Sequence, residues 1–146
     1  PYTELHERHY ITGIKMFNKE PLFGIGTNLF EKLCSDERFF YKEGSCATHP
    51  HNFYIQLLAE TGIVGFLFLF STLIYVLYSA LRQLKSIIFK QKRPLTDYQV
   101  CLLAGILITV WTLTPNGNFF NNWLMIVYSL PVGFYLQSIY YKKNKK

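Results

Sequence analysis

Every histidine of this chain, His6, His9, His49 and His51, lies before its first apolar run, together with six basic side chains. These groups can accept a proton or hold an anion. His51 stands out by its place. It lies in Thr48-His49-Pro50-His51-Asn52-Phe53-Tyr54, a polar segment that runs without a break into an apolar stretch of membrane length. An imidazole there sits where water meets lipid. Thr48 or His49 is positioned to cap a helix, with Pro50 in its first turn. That reading puts His51 in the first turn as well. The positive end of the helix dipole favours a neutral ring, the form that accepts protons. Taken locally, the same residue also reads as a capping or interfacial histidine.

Arg8 is the matching anion-binding candidate, since its planar fork suits phosphate oxygens better than an ammonium does. Lys15 and Lys19 share its helical face at i+7 and i+11 and extend it into an anion-facing stripe; a solvated polar face accounts for them equally well. The local alternative for Arg8 is a pair with Glu4, one turn away. His49 and Asn52 flank His51 and join Lys15 and Lys19 as substrate-binding candidates. His49-X-His51 and His6/His9, an i, i+3 pair, raise the question of zinc. A zinc site takes three or four protein ligands; the two pairs could assemble in space, but no supporting cysteine or aspartate lies nearby in register, and no metal is expected. Gly24-Ile25-Gly26 lacks the third glycine and the βαβ context of a nucleotide fingerprint and reads as a tight turn. Gly62 and Gly65 read as small residues for close helix packing.

The elements that must hold these groups are helical. Glu4 to Lys19 is amphipathic, with Tyr10, Ile14 and Phe17 on one face, and Pro21 stops it. A turn over 23–28 leads to a short helix ending near Leu33. A polar loop then runs from Cys34 to Cys46. Only 16% of residues are charged and 50% are hydrophobic, against about 25% charged in soluble domains. No charged side chain occurs from Thr61 to Leu81, or from Tyr98 to Tyr141. A bilayer core needs about 20 apolar residues per helix. The first run makes one span. The second is too long for one; Thr112-Leu113-Thr114-Pro115-Asn116-Gly117-Asn118 interrupts it and divides it into two. The expected fold is therefore all-α and polytopic. A partly helical extracytoplasmic loop (1–60) precedes three transmembrane helices (about 61–81, 98–114 and 121–141, within a 61–141 membrane domain), and a basic cytoplasmic tail (142–146) follows.

The net charge of +6 does not point to nucleic acid. Arg82, Lys85, Lys90, Lys92 and Arg93 follow the first span, and Lys142, Lys143, Lys145 and Lys146 follow the last. Six bases against eight acids leave the segment 1–60 at about −2. Excess Lys and Arg mark the cytoplasmic side and favour contact with anionic lipid. On the other side disulfides persist, which makes Cys34 and Cys46 a candidate bridge; Cys101, inside a span, reads as inert. The chain opens at Pro1 in polar sequence, and the expectation is a piece of a longer membrane protein.

The stretch from Thr48 through Leu57-Leu58-Ala59-Glu60-Thr61-Gly62 to Gly65 resembles the signature of the O-antigen ligase and polymerase superfamily of bacterial envelope glycosyltransferases. Upstream, Arg8, an aromatic-rich helix and Glu20-Pro21-Leu22-Phe23-Gly24-Ile25-Gly26 are similar to that family's Arg…Pro-Leu-X-Gly-X-Gly stretch. The two matches cover the chain as far as Phe66. The resemblance implies an inner-membrane bundle with a C-type glycosyltransferase fold under a periplasmic loop. It also implies a glycan donor on undecaprenyl pyrophosphate, an acceptor that is lipid A core or another glycan, and no cofactor. By the same resemblance Arg8 binds the donor pyrophosphate, and His51 activates the acceptor hydroxyl or steadies the pyrophosphate. A polymerase extending the glycan would use the same donor chemistry. A polyprenyl-glycan transporter would need charged or broken intramembrane helices, and the three expected spans carry no charge. A non-enzymatic assembly subunit would not need Arg8 and His51 together.

The charge asymmetry predicts residues 1–60 and 115–122 outside the cytoplasm and 82–97 and 142–146 inside. Cysteines introduced at Gln91 and Asn118 test this in whole cells. A membrane-impermeant thiol reagent should label the second and spare the first; equal labelling rejects the arrangement.

Overall fold

A computed structural model describes residues 3–144, so Lys145 and Lys146 of the expected basic tail lie outside the described residues. The order is α1 (Glu4–Lys19), α2 (Phe30–Leu33), α3 (Phe53–Ile88), α4 (Asp97–Val110) and α5 (Asn122–Asn144). No strand occurs among the described residues. The all-α expectation holds. The chain forms two compact units, one of Pro1–Phe70 and Thr112–Leu124, the other of Ser71–Trp111 and Met125–Lys146.

In the first unit, α1 begins with Glu4 and Glu7 and ends with Lys19, charges that suit the two ends of its dipole. It stops at Glu20, because the residue before a proline is pushed out of helical geometry. Its buried face is not the aromatic one expected from Tyr10, Ile14 and Phe17. His9, Thr12, Gly13 and Met16 are buried instead, while Ile14 is exposed. The reason is Gly13. A methyl group there would stand 2.6 Å from the Ile55 side chain and 3.8 Å from that of Ala59, so the bare backbone lets α3 lie against this stripe. Met16, Phe30, Cys34, Phe39 and Ala59 close into the core beside it. Cys34 and Cys46 are joined by a disulfide with Cα atoms 5.2 Å apart.

α3 is broken at Gly62, whose φ of 65° and ψ of −160° are non-helical. An unbroken helix would bond the Ile63 N–H to the Ala59 carbonyl and the Val64 N–H to the Glu60 carbonyl. Both are exchanged for partners in the loop after α1. Ile63 donates to the Pro21 carbonyl at 2.9 Å and Val64 to that of Leu22 at 3.5 Å. The freed Ala59 and Glu60 carbonyls accept from Ile25 at 2.9 Å and Gly26 at 3.0 Å. Buried backbone groups need partners, and the loop supplies all four. Contact is so close that a Cβ on Gly24 would lie 2.4 Å from the Glu60 carbonyl carbon, and one on Gly62 would lie 2.4 Å from the Leu22 oxygen. Gly62 therefore serves a helix break and a loop contact, not the helix–helix packing expected of it. Glu60, itself buried, accepts the Phe30 N–H at 2.8 Å and so caps α2.

The second unit holds the remainder of α3, α4 and most of α5. Thr96 and Gln99 cap α4 reciprocally, a capping box. The Gln99 amide reaches Ser138 on α5 at 3.2 Å, and the Tyr75 and Tyr135 hydroxyls meet at 3.0 Å. Such polar contacts suit helices that have no water to bond. Two helices are long and apolar enough to cross a membrane, Phe53–Ile88 and Asn122–Tyr141. α4 is not clearly a third. It ends at Val110, not 114, and its 14 residues span about 21 Å against about 30 Å of hydrocarbon. Trp111 turns to extended geometry, and Pro115 keeps the residue before it out of the helix.

The clasp at Gly62 predicts a specific fragility. Gly24→Ala should lower stability by about 2 kcal/mol or more, whereas Gly133→Ala, where a methyl meets nothing within 4 Å, should be neutral or slightly stabilising. Thermal melting of the full-length protein in detergent compares them. Equal melting temperatures would show that the loop does not brace the broken helix.

Candidate functional site

The segment before α3 takes a different shape from the one its sequence suggests. Asn52 is the cap. Its Oδ1 accepts the Tyr54 N–H at 3.0 Å and the Ile55 N–H at 3.2 Å. Asparagine has a short side-chain acceptor suited to this place, and it displaces Thr48 and His49 from the capping role. Pro50 and His51 consequently lie ahead of the helix. His51 adopts a left-handed backbone with φ 56°, uncommon outside glycine, and is not a first-turn residue. The Asn52 Nδ2 donates to the Thr112 carbonyl at 2.9 Å, so both ends of the amide are engaged in holding backbone.

The turn at His51 brings its ring among the other three imidazoles. Ring centroids lie 4.2 Å from His49, 5.6 Å from His6 and 5.6 Å from His9; His6 and His9 are 6.4 Å apart. All four histidines form one cluster with His51 at its hub. Two of them are tethered by neighbouring hydroxyls. His49 Nδ1 pairs with the Thr48 hydroxyl at 2.9 Å and its Nε2 with the Asn116 carbonyl at 3.2 Å. His6 Nδ1 pairs with the Thr3 hydroxyl at 2.8 Å. His9 is buried, and its Nδ1 has no hydrogen-bond partner among the described residues.

Electrostatics favour the neutral state in three of the four rings. Burial, then charge on His6, lower the His51 pKa below its ordinary 6.5. Burial and then His51 lower His49. Burial, His51 and His6 lower His9, with the Gly44 backbone opposing. Desolvation and like-charge neighbours act in the same direction on an imidazole. No three His, Cys, Asp or Glu side chains among the described residues are arranged to hold a metal ion.

Arg8 lies beside His9 on α1. Its Nη2 donates to Glu4 at 2.5 Å and its Nη1 to the Glu43 carbonyl at 2.5 Å, while Nε is buried without a partner among the described residues. The hydrogen bond to Glu4 raises the Arg8 pKa and lowers that of Glu4. The guanidinium is thus fixed in place, with one donor atom unengaged. Lys15 donates to the Phe40 carbonyl at 2.7 Å and lies over the Tyr41 ring. Lys15 and Lys19 line an open cavity of about 350 Å³ with Asn18, Arg38 and Phe39. The basic stripe therefore divides: Arg8 bonds Glu4 and the Glu43 carbonyl, and the two lysines border a separate hollow.

The i, i+3 spacing on a helix and His-X-His ahead of another allowed the two histidine pairs to meet in space, but did not show His51 as their hub. The network behind them was missed. Gln56 Nε2 donates to Glu60 Oε2 at 3.1 Å and to Asn118 Oδ1 at 2.7 Å, and Gln56 Oε1 accepts the Phe119 N–H at 2.8 Å. The Asn116 N–H donates to the His51 carbonyl at 3.0 Å. The asparagine-rich hairpin is thereby fastened onto the His51 turn.

Residues 6–70 match the family model described as O-antigen ligase. The resemblance drawn from the sequence is shown over that stretch, which contains the four histidines, Arg8 and the clasp at Gly62. The match supports a role in membrane glycan processing. Neither curated proteins nor solved structures give a match.

The disulfide generates a direct test. Peptide mapping without reductant, on protein made in cells with an oxidising extracytoplasmic space, should recover Cys34 linked to Cys46. Its removal by paired serine substitution should cost on the order of 3 kcal/mol. Two freely alkylated thiols would place this loop in a reducing compartment.

Proposed function

We propose that this chain acts in transferring a glycan from undecaprenyl pyrophosphate to an acceptor hydroxyl, on lipid A core or on another glycan, at the outer face of a bacterial inner membrane. The observation that carries this reading is the gathering of His51 with three other imidazoles inside the matched segment, on a loop at Glu43 and Gly44 that both Arg8 and His9 bond. His51 is held neutral by burial and by its neighbours and can take the acceptor's proton as the hydroxyl attacks the anomeric carbon. Pyrophosphate departs with the bonding electrons. It is a good leaving group, so cationic hydrogen-bond donors placed at its oxygens suffice to stabilise it. Arg8 supplies such a charge once a phosphate oxygen replaces Glu4 at its exposed Nη2; Lys15 and Lys19 border a hollow suited to other parts of an anionic substrate. His49 and Asn52 shape the turn that presents His51. Extension of a growing glycan by a polymerase employs the same groups.

The lysine and arginine clusters at the end of α3 and just beyond it support placing residues 1–60 in the periplasm. Arg82, Lys85 and Lys92 border a cavity of about 530 Å³ at that end of α3, where anionic headgroups and the positive-inside bias both favour the cytoplasmic face.

The test is transfer from purified undecaprenyl-pyrophosphate glycan by the full-length protein. His51→Ala should lower turnover about 100-fold or more while insertion persists. Arg8→Lys should cost roughly tenfold, because it keeps charge and loses the fork. Chelators should have no effect. Burial and His6 favour neutral His51; the base is protonated and idle in acid, so turnover at saturating donor should rise from the acid range and level off as pH increases. Full turnover by a well-inserted His51→Ala protein, or chelator inactivation reversed by zinc, removes this mechanism.

A further inference from the structure

We propose that the histidine cluster takes up one proton when a pyrophosphate diester binds beside His51, and that His9 holds it as a buried positioning cation. This inference rests on the donor reading above and specifies how the same site responds to pH.

His9 differs from the rings around it. His49 is engaged at both ring nitrogens and His6 at Nδ1. His9 is buried, and its Nδ1 meets no hydrogen-bond partner among the described residues. The Gly44 backbone beside the ring favours its protonated form. A buried polar atom left unpaired is costly, and a proton on Nδ1 needs an acceptor, which a phosphate oxygen supplies. The rings nearest to it are His51 at 5.6 Å and His6 at 6.4 Å, with His49 behind His51. The charged groups that act on His9 are His51, His6 and His49; on the same helix Arg8 and Glu4 pair with each other, near Lys42, Glu43 and the Tyr41 hydroxyl. The Arg8–Glu4 pair largely cancels. No carboxylate among the described residues hydrogen-bonds to any of the four rings, so a proton added here has no resident counter-ion.

An arriving pyrophosphate diester changes that balance. It brings two negative charges that stay ionised across the neutral range. A proton taken from water forms an N–H bond on His9, and the anion supplies the opposite charge within reach of the low-dielectric interior. The first proton then repels a second, because like charges this close cannot all ionise. A phosphate oxygen at the open Nδ1 favours His9 for the added proton over His6, whose Nδ1 is already engaged, and His51 stays neutral as a base. Binding and chemistry thereby acquire opposite pH dependences. The free His9 pKa is depressed mainly by burial and rises when the anion binds. Affinity therefore falls as pH climbs from the free-state value, below 6.5, to the bound-state value, while the base on His51 becomes available over the lower part of that range.

The experiment uses full-length protein in lipid nanodiscs and a farnesyl, N-acetylglucosaminyl P1,P2-diester of pyrophosphate, a probe with no group titrating between pH 5.5 and 8.5. Calorimetry at pH 6.5 in two buffers of different ionisation enthalpy counts protons per binding event. The wild type should take up about one. Its affinity should fall by up to roughly tenfold per pH unit between the free and bound pKa values and level off above them. His9→Asn should bind more weakly at pH 6.5 and lose the uptake. His49→Gln should retain it. If His9→Asn fails to fold, nitrogen-15 spectra of wild-type histidine rings decide the matter: one ring should change from neutral to imidazolium on adding the probe. Binding with no proton taken up, or no ring changing state, overturns this inference and leaves the donor reading intact. Absence of binding at every pH overturns both.

Discussion

An exchange of four backbone hydrogen bonds at Gly62 underlies the first unit. A helix cannot be interrupted in an apolar setting unless the carbonyls and amides released at the break find new partners. Here the loop from Pro21 to Gly26 meets all four, with two donors and two acceptors matched in register. That requirement links two stretches far apart in the sequence and accounts for the glycines in both. It also fixes α1 against α3, since the loop leaves α1 directly, and the bare edge of Gly13 lets the helices approach. His6 and His9 are carried by α1, and His51 by the turn before α3. Their meeting depends on the clasp.

The turn before α3 illustrates how a cap directs a functional side chain. Asn52 takes two amide protons with one oxygen and secures the Thr112 carbonyl with its nitrogen. Once Asn52 is the cap, His51 must turn the chain, and its left-handed backbone swings the ring back toward α1. The hairpin over 112–119 then bonds to His51 and Gln56, so this turn is braced from a distant part of the chain. Gathering four imidazoles without a carboxylate among them is electrostatically unfavourable for the charged state, which is why burial and mutual repulsion lower three of them together.

Much of this architecture was legible in the sequence. The amphipathic period set α1 over its full length, uncharged runs located the apolar helices, and the short helix near Leu33 followed from the turn before it. The Arg8 and His51 segments and their spacing carried the family resemblance. Local pattern sufficed there because helix period, charge exclusion from lipid and proline stops act on neighbours in the chain. It misjudged α4, whose uncharged residues continue past the point where the backbone leaves the helix. It also chose the wrong face of α1, because tyrosine and phenylalanine outweigh a glycine on any hydropathy count while close approach favours the glycine.

By itself the sequence determined the helices, their apolar character and which side chains are chemically able to bind an anion or accept a proton. Tertiary structure alone decided that Asn52 caps α3, that Gly62 breaks it, that Glu60 and Gln56 tie loop and hairpin together, and that two separate histidine pairs become one cluster. The division has a physical cause. Propensity and periodicity are set within a few residues, whereas the partner of a broken hydrogen bond and the neighbour of an imidazole are set by chain segments that meet only on folding.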